Sequence, residues 1–192
     1  VYEVLYSGVS ESLRNCLVFD TEIECAYLVG DFAIETDADF TPDVRHSECY
    51  SGTFTLAAQR PTVCVRDVVR DGYPFFGGHL HVSFPYTYKA GDPTVLRLSG
   101  RFATCAVTVN GTPAGEMLFD RELDLAEFLR EGENEITLDV ANAMRNLMGP
   151  HHRPDPEPYG VGPGTFSFEK EWHGRECPGY VDRYAFVRFG IE

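Results

Sequence analysis

The chain has 192 residues, 43% of them hydrophobic and 13% aromatic, enough apolar material to bury a sizeable core, and one domain over residues 1–192 is the expected organisation. Thirty acidic against 16 basic residues give a formal charge of −14. The basic residues are scattered singly, so nucleic acid and anionic membrane surfaces are excluded as expected partners, and neutral polar molecules such as sugars remain.

No apolar run is long enough to span a bilayer, and the opening Val1-Tyr2-Glu3 shows neither a starting Met nor a signal-peptide pattern. The chain reads as a piece of a longer protein whose compartment is not legible from it.

In chain order, strand periodicity recurs throughout. The first candidates are "YEVLYS", "IECAYLVG" and "FAIET". The acidic stretch "ETDADFTPD" follows, where Asp37, Asp39 and Asp43 are oxygen donors suited to a structural calcium ion. Their spacing is not that of an EF-hand, and a solvated acidic loop is the competing reading. "GTFTLAA" and "TVCVRDVV" read as further strands, separated by a short polar turn.

"DGYPFFGG" carries Tyr73, Phe75 and Phe76, either packing residues or a platform for the apolar face of a sugar. "HLHVSFPYTY" alternates Leu80, Val82, Phe84, Tyr86 and Tyr88 against His79 and His81. Two histidines at this spacing point the same way and could share a metal, but no acidic ligand follows in the same strand, so a polar sheet face is the ordinary reading. "TVLRLSG" is the next strand candidate.

Residues 104–142 carry the most specific local pattern. "TCAVTVN" alternates into Asn110-Gly111, the pair that supplies positive φ for a two-residue hairpin turn. "LAEFLREGEN" is the only plausible helical piece, a short turn stopped by Gly132, and "ENEITLDVAN" is a half-buried strand with Ile136, Leu138 and Val140 on one face and Glu135, Thr137 and Asp139 on the other. The segment after it, residues 142–166, holds five of the 12 prolines together with His151 and His152. Prolines fix φ and withhold donors, so this segment is read as an ordered crossing over one end of the sheets, with Arg145 and Asn146 anchoring its start through bonds to backbone. "YAFVRFGI" closes the series as a last strand.

The six cysteines form no C-x-x-C pair, which argues against structural zinc. Cys25, Cys64 and Cys105, inside apolar runs, read as small core hydrophobes, with disulfides as the competing reading. No G-x-S-x-G elbow occurs, and the acids Asp120, Glu169 and Glu171 stand in no distinguishing motif for glycosidase chemistry.

The order of Val107, Val109, Asn110, Gly111, Gly115, Asp124, Leu125, Leu129, Gly132, Glu133, Asn134, Ile136, Leu138 and Val140 resembles the jelly-roll sugar-binding modules of family 2 and related rhamnosidase-like bacterial glycoside hydrolases, which have the galactose-binding-domain-like fold. "GYPFFGGHL" and "RNLMGPHH" resemble segments of the C-terminal sandwich in such enzymes. The resemblance covers roughly residues 60–192. It implies an all-β antiparallel jelly-roll sandwich, without catalysis of its own, that serves as an accessory or carbohydrate-binding module. Its implied partners are a weakly bound carbohydrate and the catalytic domain of a parent chain, with no cofactor beyond the calcium already considered. The site then expected lies at the Pro-rich end of the sandwich, on His151, His152, Tyr159, Trp172 and Tyr73. The rival readings are a domain that only packs within its parent enzyme and a metal-dependent jelly-roll enzyme.

Overall fold

A computed structural model of the chain describes residues 26–160 and 179–192. "YEVLYS", Glu169, Glu171, Trp172 and the start of "IECAYLVG" lie outside them. The fold is an antiparallel all-β sandwich of short strands around one apolar core.

The largest sheet has four strands in the order β5–β11–β8–β9: β5 His79–Tyr88, β8 Thr104–Val109, β9 Thr112–Met117 and β11 Gly132–Ala141. Its inner face carries Val107, Val109, Ile136, Leu138 and Val140, all buried. Alternation along the pleat sends Glu135, Thr137 and Asp139 outward, as the periodicity predicts.

Opposite lies a sheet of β2 (Thr41–Pro42), β3 (Ser47–Tyr50) and β12 (Tyr184–Val187) in the order β12–β3–β2. Three strand pairs complete the layers: β1 (Phe32–Thr36) with β4 (Phe54–Ala58), β6 (Val95–Arg97) with β10 (Glu122–Asp124), and β7 (Gly100–Arg101) with β13 (Gly190–Ile191). Phe40, Tyr50, Phe54, Phe75 and Phe186 meet ring to ring, with centroids 4.6–6.1 Å apart. Tilted and edge-on geometry of this kind adds to the area they remove from water.

The hairpin forms where Asn110-Gly111 places it. Asn110 has φ 52° and Gly111 φ 79°, and Val109 pairs with Thr112 across the turn. The sequence motif around it is built for the fold. The buried amide of Asn134 donates to the carbonyls of Arg130 (2.8 Å) and Gly132 (3.0 Å), while its oxygen accepts from Asn110 Nδ2 (2.8 Å) and the Arg130 amide (3.0 Å). Asn110 Oδ1 in turn accepts from the Glu135 amide at 3.1 Å. Two asparagines thus clamp the hairpin tip to the turn that re-enters β11.

Three elements differ from expectation. "TVCVRDVV" is not a strand but an irregular turn that buries Val68 and Val69 and leaves Cys64 exposed. Asp67 there accepts from the Arg70 amide, offering the backbone a local alternative to a ladder. The described part of "IECAYLVG", residues 26–30, is exposed and forms no strand, whereas residues 125–129 make the brief hydrogen-bonded turn expected of them. The third, β3, escapes a pattern reading because all four residues are buried, Glu48 among them. Its carboxylate is held by Arg70 and Arg188, each at 2.6 Å. Pairing of this kind is what lets a charge sit in a core. Cys105 is fully buried, and burial pushes its thiol up to about 11.

Candidate functional site: the proline-rich end

The crossing leaves β11 at Asn142, whose side chain donates to the Phe76 carbonyl and whose amide donates to Gly78. A four-residue helix, α1 (Arg145–Met148), follows. Asn146 is buried and clamps β12 by donating to the Val187 carbonyl (2.8 Å) and accepting from the Val187 amide (2.7 Å). Arg145 reaches three acceptors: Glu157 (2.8 Å), the Pro156 carbonyl (2.7 Å) and the Ala185 carbonyl (3.3 Å). The anchoring expected of both residues is present, and it reaches forward along the crossing as well as down to the sheet.

Beyond α1 the side chains divide by direction. His151 turns inward between Phe75, Tyr184 and Phe186, with ring centroids 5.0–5.8 Å away. Its Nδ1 lies 2.8 Å from the Ala185 carbonyl, so the neutral ring carries its proton there, and its Nε2 is buried with no partner among the described residues. Burial holds its pKa down at about 4 against the opposing pull of the Ala185 carbonyl. His152 stacks on Tyr180 at 4.8 Å and donates toward the Val181 carbonyl. Both histidines are engaged with the fold rather than held out toward solvent.

Tyr159 turns the other way and is 94% exposed. The guanidinium of Arg45 stands 4.4 Å from its ring centroid, within cation–π range. The same guanidinium bonds the Asp155 carboxylate and the Glu157 carbonyl. Arg45 and His46 both take positive φ, 51° and 63°, a costly backbone state for residues other than glycine. The bend is fixed by Asp43, which accepts from the Val44 amide at 2.8 Å, and by Ser47, which donates to the Val44 carbonyl at 2.7 Å. Arg183 adds a bond to the Pro154 carbonyl (3.0 Å) and a contact with Asp43 (3.5 Å). The result is an exposed aromatic ring beside one cation, itself paired with the Asp155 carboxylate, on a loop tied to the scaffold by three arginines.

Apart from Asp43, the other described sequence candidates lie away from this group in their bonding. Tyr73 packs against the core, and its hydroxyl accepts from the Arg60 amide. Phe76 stacks on Phe189 at 5.4 Å. Asp37 accepts from the Thr53 amide (2.7 Å) and the Tyr50 hydroxyl (2.9 Å), bonds that hold its carboxyl below the usual range. Asp43 is engaged as described, and Asp39 is exposed. Trp172 lies outside the described residues. Arg45, Asp155 and Glu157 were not legible as site residues, because the contact between Arg45 and Asp155 spans 110 positions.

At the opposite end of β11 an open depression of about 500 Å³ is lined by Phe84, Pro85, Arg130, Glu133 and Glu135. Its two amide side chains, Asn110 and Asn134, are those already spent on the hairpin clamp.

No protein-family model and no curated protein matches the chain. Among solved structures, it is similar to a rhamnosidase from Novosphingobium sp. PP1Y over 87% of this chain and 16% of that one, at 17% identity and a TM-score of 0.38. It is also similar to a β-D-glucuronidase from Dictyoglomus thermophilum over 60% of this chain and 19% of that one, at 18% identity and a TM-score of 0.32. The chain spans less than a fifth of the length of either enzyme.

Proposed function

We propose that this chain is a non-catalytic accessory module of a glycoside hydrolase, of the jelly-roll, galactose-binding-domain-like kind, and that it binds carbohydrate at the proline-rich end. The observation that carries this reading is Tyr159: a nearly fully exposed ring on a loop held by Arg45, Arg145 and Arg183. A pyranose offers an apolar C–H face and a rim of hydroxyls. An exposed aromatic ring suits the first, and the Arg45 guanidinium with the Asp155 carboxylate suits the second. The sequence resemblance to sugar-binding modules supports the same assignment, with Trp172 as a further platform. Affinity is weak, about millimolar to tens of micromolar, because a small sugar buries little area and its hydroxyls must be desolvated.

A second reading, a domain that only packs within its parent enzyme, draws support from exposed apolar residues away from the ring, Phe119 at 90% and Leu118, Met144 and Met148 near half.

Glycan-array binding by the intact chain, followed by titration of Tyr159→Ala and Trp172→Ala, separates the readings. Loss of binding in Tyr159→Ala supports the site. Strong binding untouched by either change puts it elsewhere, and no binding to any glycan favours the packing role. Aryl glycosides should not be turned over; turnover abolished by Glu169→Gln or Glu171→Gln would overturn the non-catalytic assignment.

A further inference from the structure

His151 is seated for one protonation state. Phe75 packs on it from the turn before β5, and Tyr184 and Phe186 pack on it from β12. Its Nδ1–H and the Arg145 guanidinium converge on one acceptor, the Ala185 carbonyl, at 2.8 and 3.3 Å. Its Nε2 is buried without a hydrogen-bond partner among the described residues. We propose that His151 is an acid-sensitive latch, whose protonation lifts residues 150–159 off the end of the sandwich while the four-stranded sheet stays folded.

A second ring proton goes on Nε2. In the seated position that N–H meets no acceptor among the described residues, and the imidazolium stands close to the Arg145 guanidinium with little water to screen the repulsion. Arg145 and the neighbouring His152 both oppose the charge, and Tyr184 is the other titratable group against the ring. No carboxylate among the described residues pairs with His151, and the nearby Glu157 is engaged by Arg145 instead. Burial accordingly holds the seated ring at about 4, whereas a ring in water titrates near 6.5. Between these values the lifted form binds a proton that the seated form does not, so acid favours lifting, by about tenfold for each pH unit.

The crossing is built to move without the sheet. Residues 150–160 contribute no strand, and among the described residues one backbone–backbone bond joins them to the rest, from the Val181 amide to the His152 carbonyl at 3.1 Å. Their other ties run through side chains, those of Arg45, Arg145 and Arg183 among them. Segments with so few ladder bonds open at a lower free energy than core strands. Lifting bares Phe75, Tyr184 and Phe186 and displaces Tyr159, so a ligand held at that ring is released on acidification. The latch itself does not depend on such a ligand, and its test is independent of the sugar reading.

The experiment is residue-level amide hydrogen exchange, followed by NMR on the intact chain at pH 7.0 and pH 5.0 and corrected for the intrinsic rate at each pH. At pH 5.0 a solvated histidine is protonated while ordinary carboxylates remain largely ionised. The Val181 amide reports on the crossing, and Leu138, in the middle of β11, reports on the sheet. The expected result is a Val181 amide that exchanges well ahead of Leu138, with an opening equilibrium that rises about twentyfold from pH 7.0 to pH 5.0, the change that values of about 4 and about 6.5 require. His151→Phe should remove most of that rise, and His151→Gln, also uncharged, takes its place if the first variant does not fold. Three outcomes each overturn the proposal: no rise at Val181, an equal rise in the uncharged variant, or Val181 and Leu138 exchanging together, which makes the opening global.

Discussion

His151 shows how a residue chosen for its chemistry can be held by the fold. It sits among aromatic rings with one nitrogen bonded to the Ala185 carbonyl and the other buried without a hydrogen-bond partner among the described residues. Burial keeps the folded protein from protonating it until about pH 4, whereas an unfolded chain takes up that proton near 6.5. Between those values the unfolded state binds the extra proton, so stability falls as pH drops from about 6.5 to 4 and this contribution levels off below. The full effect is on the order of 3 kcal/mol. His151→Phe keeps a ring in the cluster, and Arg145 still donates to the Ala185 carbonyl. Urea denaturation at pH 7 and pH 4.5 should show a smaller pH difference in the variant than in the parent; an equal difference would mean that another group carries the titration.

At the scale of elements, legibility followed periodicity. The strands β5, β8 and β11 alternate strictly because one face of their sheet is buried and the other is wet, and each was readable to within a residue or two. The turn at Asn110-Gly111 was readable because few residues tolerate its angles. Where side chains rather than pattern decide the backbone, reading failed. The valines of residues 62–69 suggested a strand that Asp67 breaks up, and β3 stayed hidden because Glu48 depends on two arginines distant in sequence. The candidate site was legible only as a segment: Tyr159 was named, but Arg45 comes from the far side of the chain. The asparagine clamp gives this scale two predictions. A Cβ at Gly111 meets no atom within 4 Å, so Gly111→Val is strained by its angles alone and should cost about 1–3 kcal/mol. Asn134→Ala leaves several buried backbone groups without partners and should cost at least as much, about 2–4 kcal/mol. Chemical denaturation checks both; an unchanged midpoint in either variant would show that the clamp does not hold the hairpin.

For the whole molecule, the question is how far the scaffold and the proposed sugar site depend on one another. Tyr159 touches little beyond Arg45, so Tyr159→Ala should leave stability within about 0.5 kcal/mol of the parent while removing the stacking surface. Arg145 is largely buried and joins α1, the crossing and β12 through three acceptors. Its loss strands the Glu157 carboxylate and the Pro156 carbonyl, at a cost of about 2–4 kcal/mol. Glu157 also offers its carbonyl to Arg45, so a loosened crossing lets go of the guanidinium that faces the ring. Arg145→Ala should therefore lower both the denaturation midpoint and glycan affinity, whereas Tyr159→Ala lowers affinity alone. Parallel denaturation and glycan titrations of the two variants measure this difference. If Arg145→Ala loses stability but keeps full affinity, the crossing is a cover over the sheet end rather than the support of a binding surface, and the ligand is held by residues that do not depend on its order.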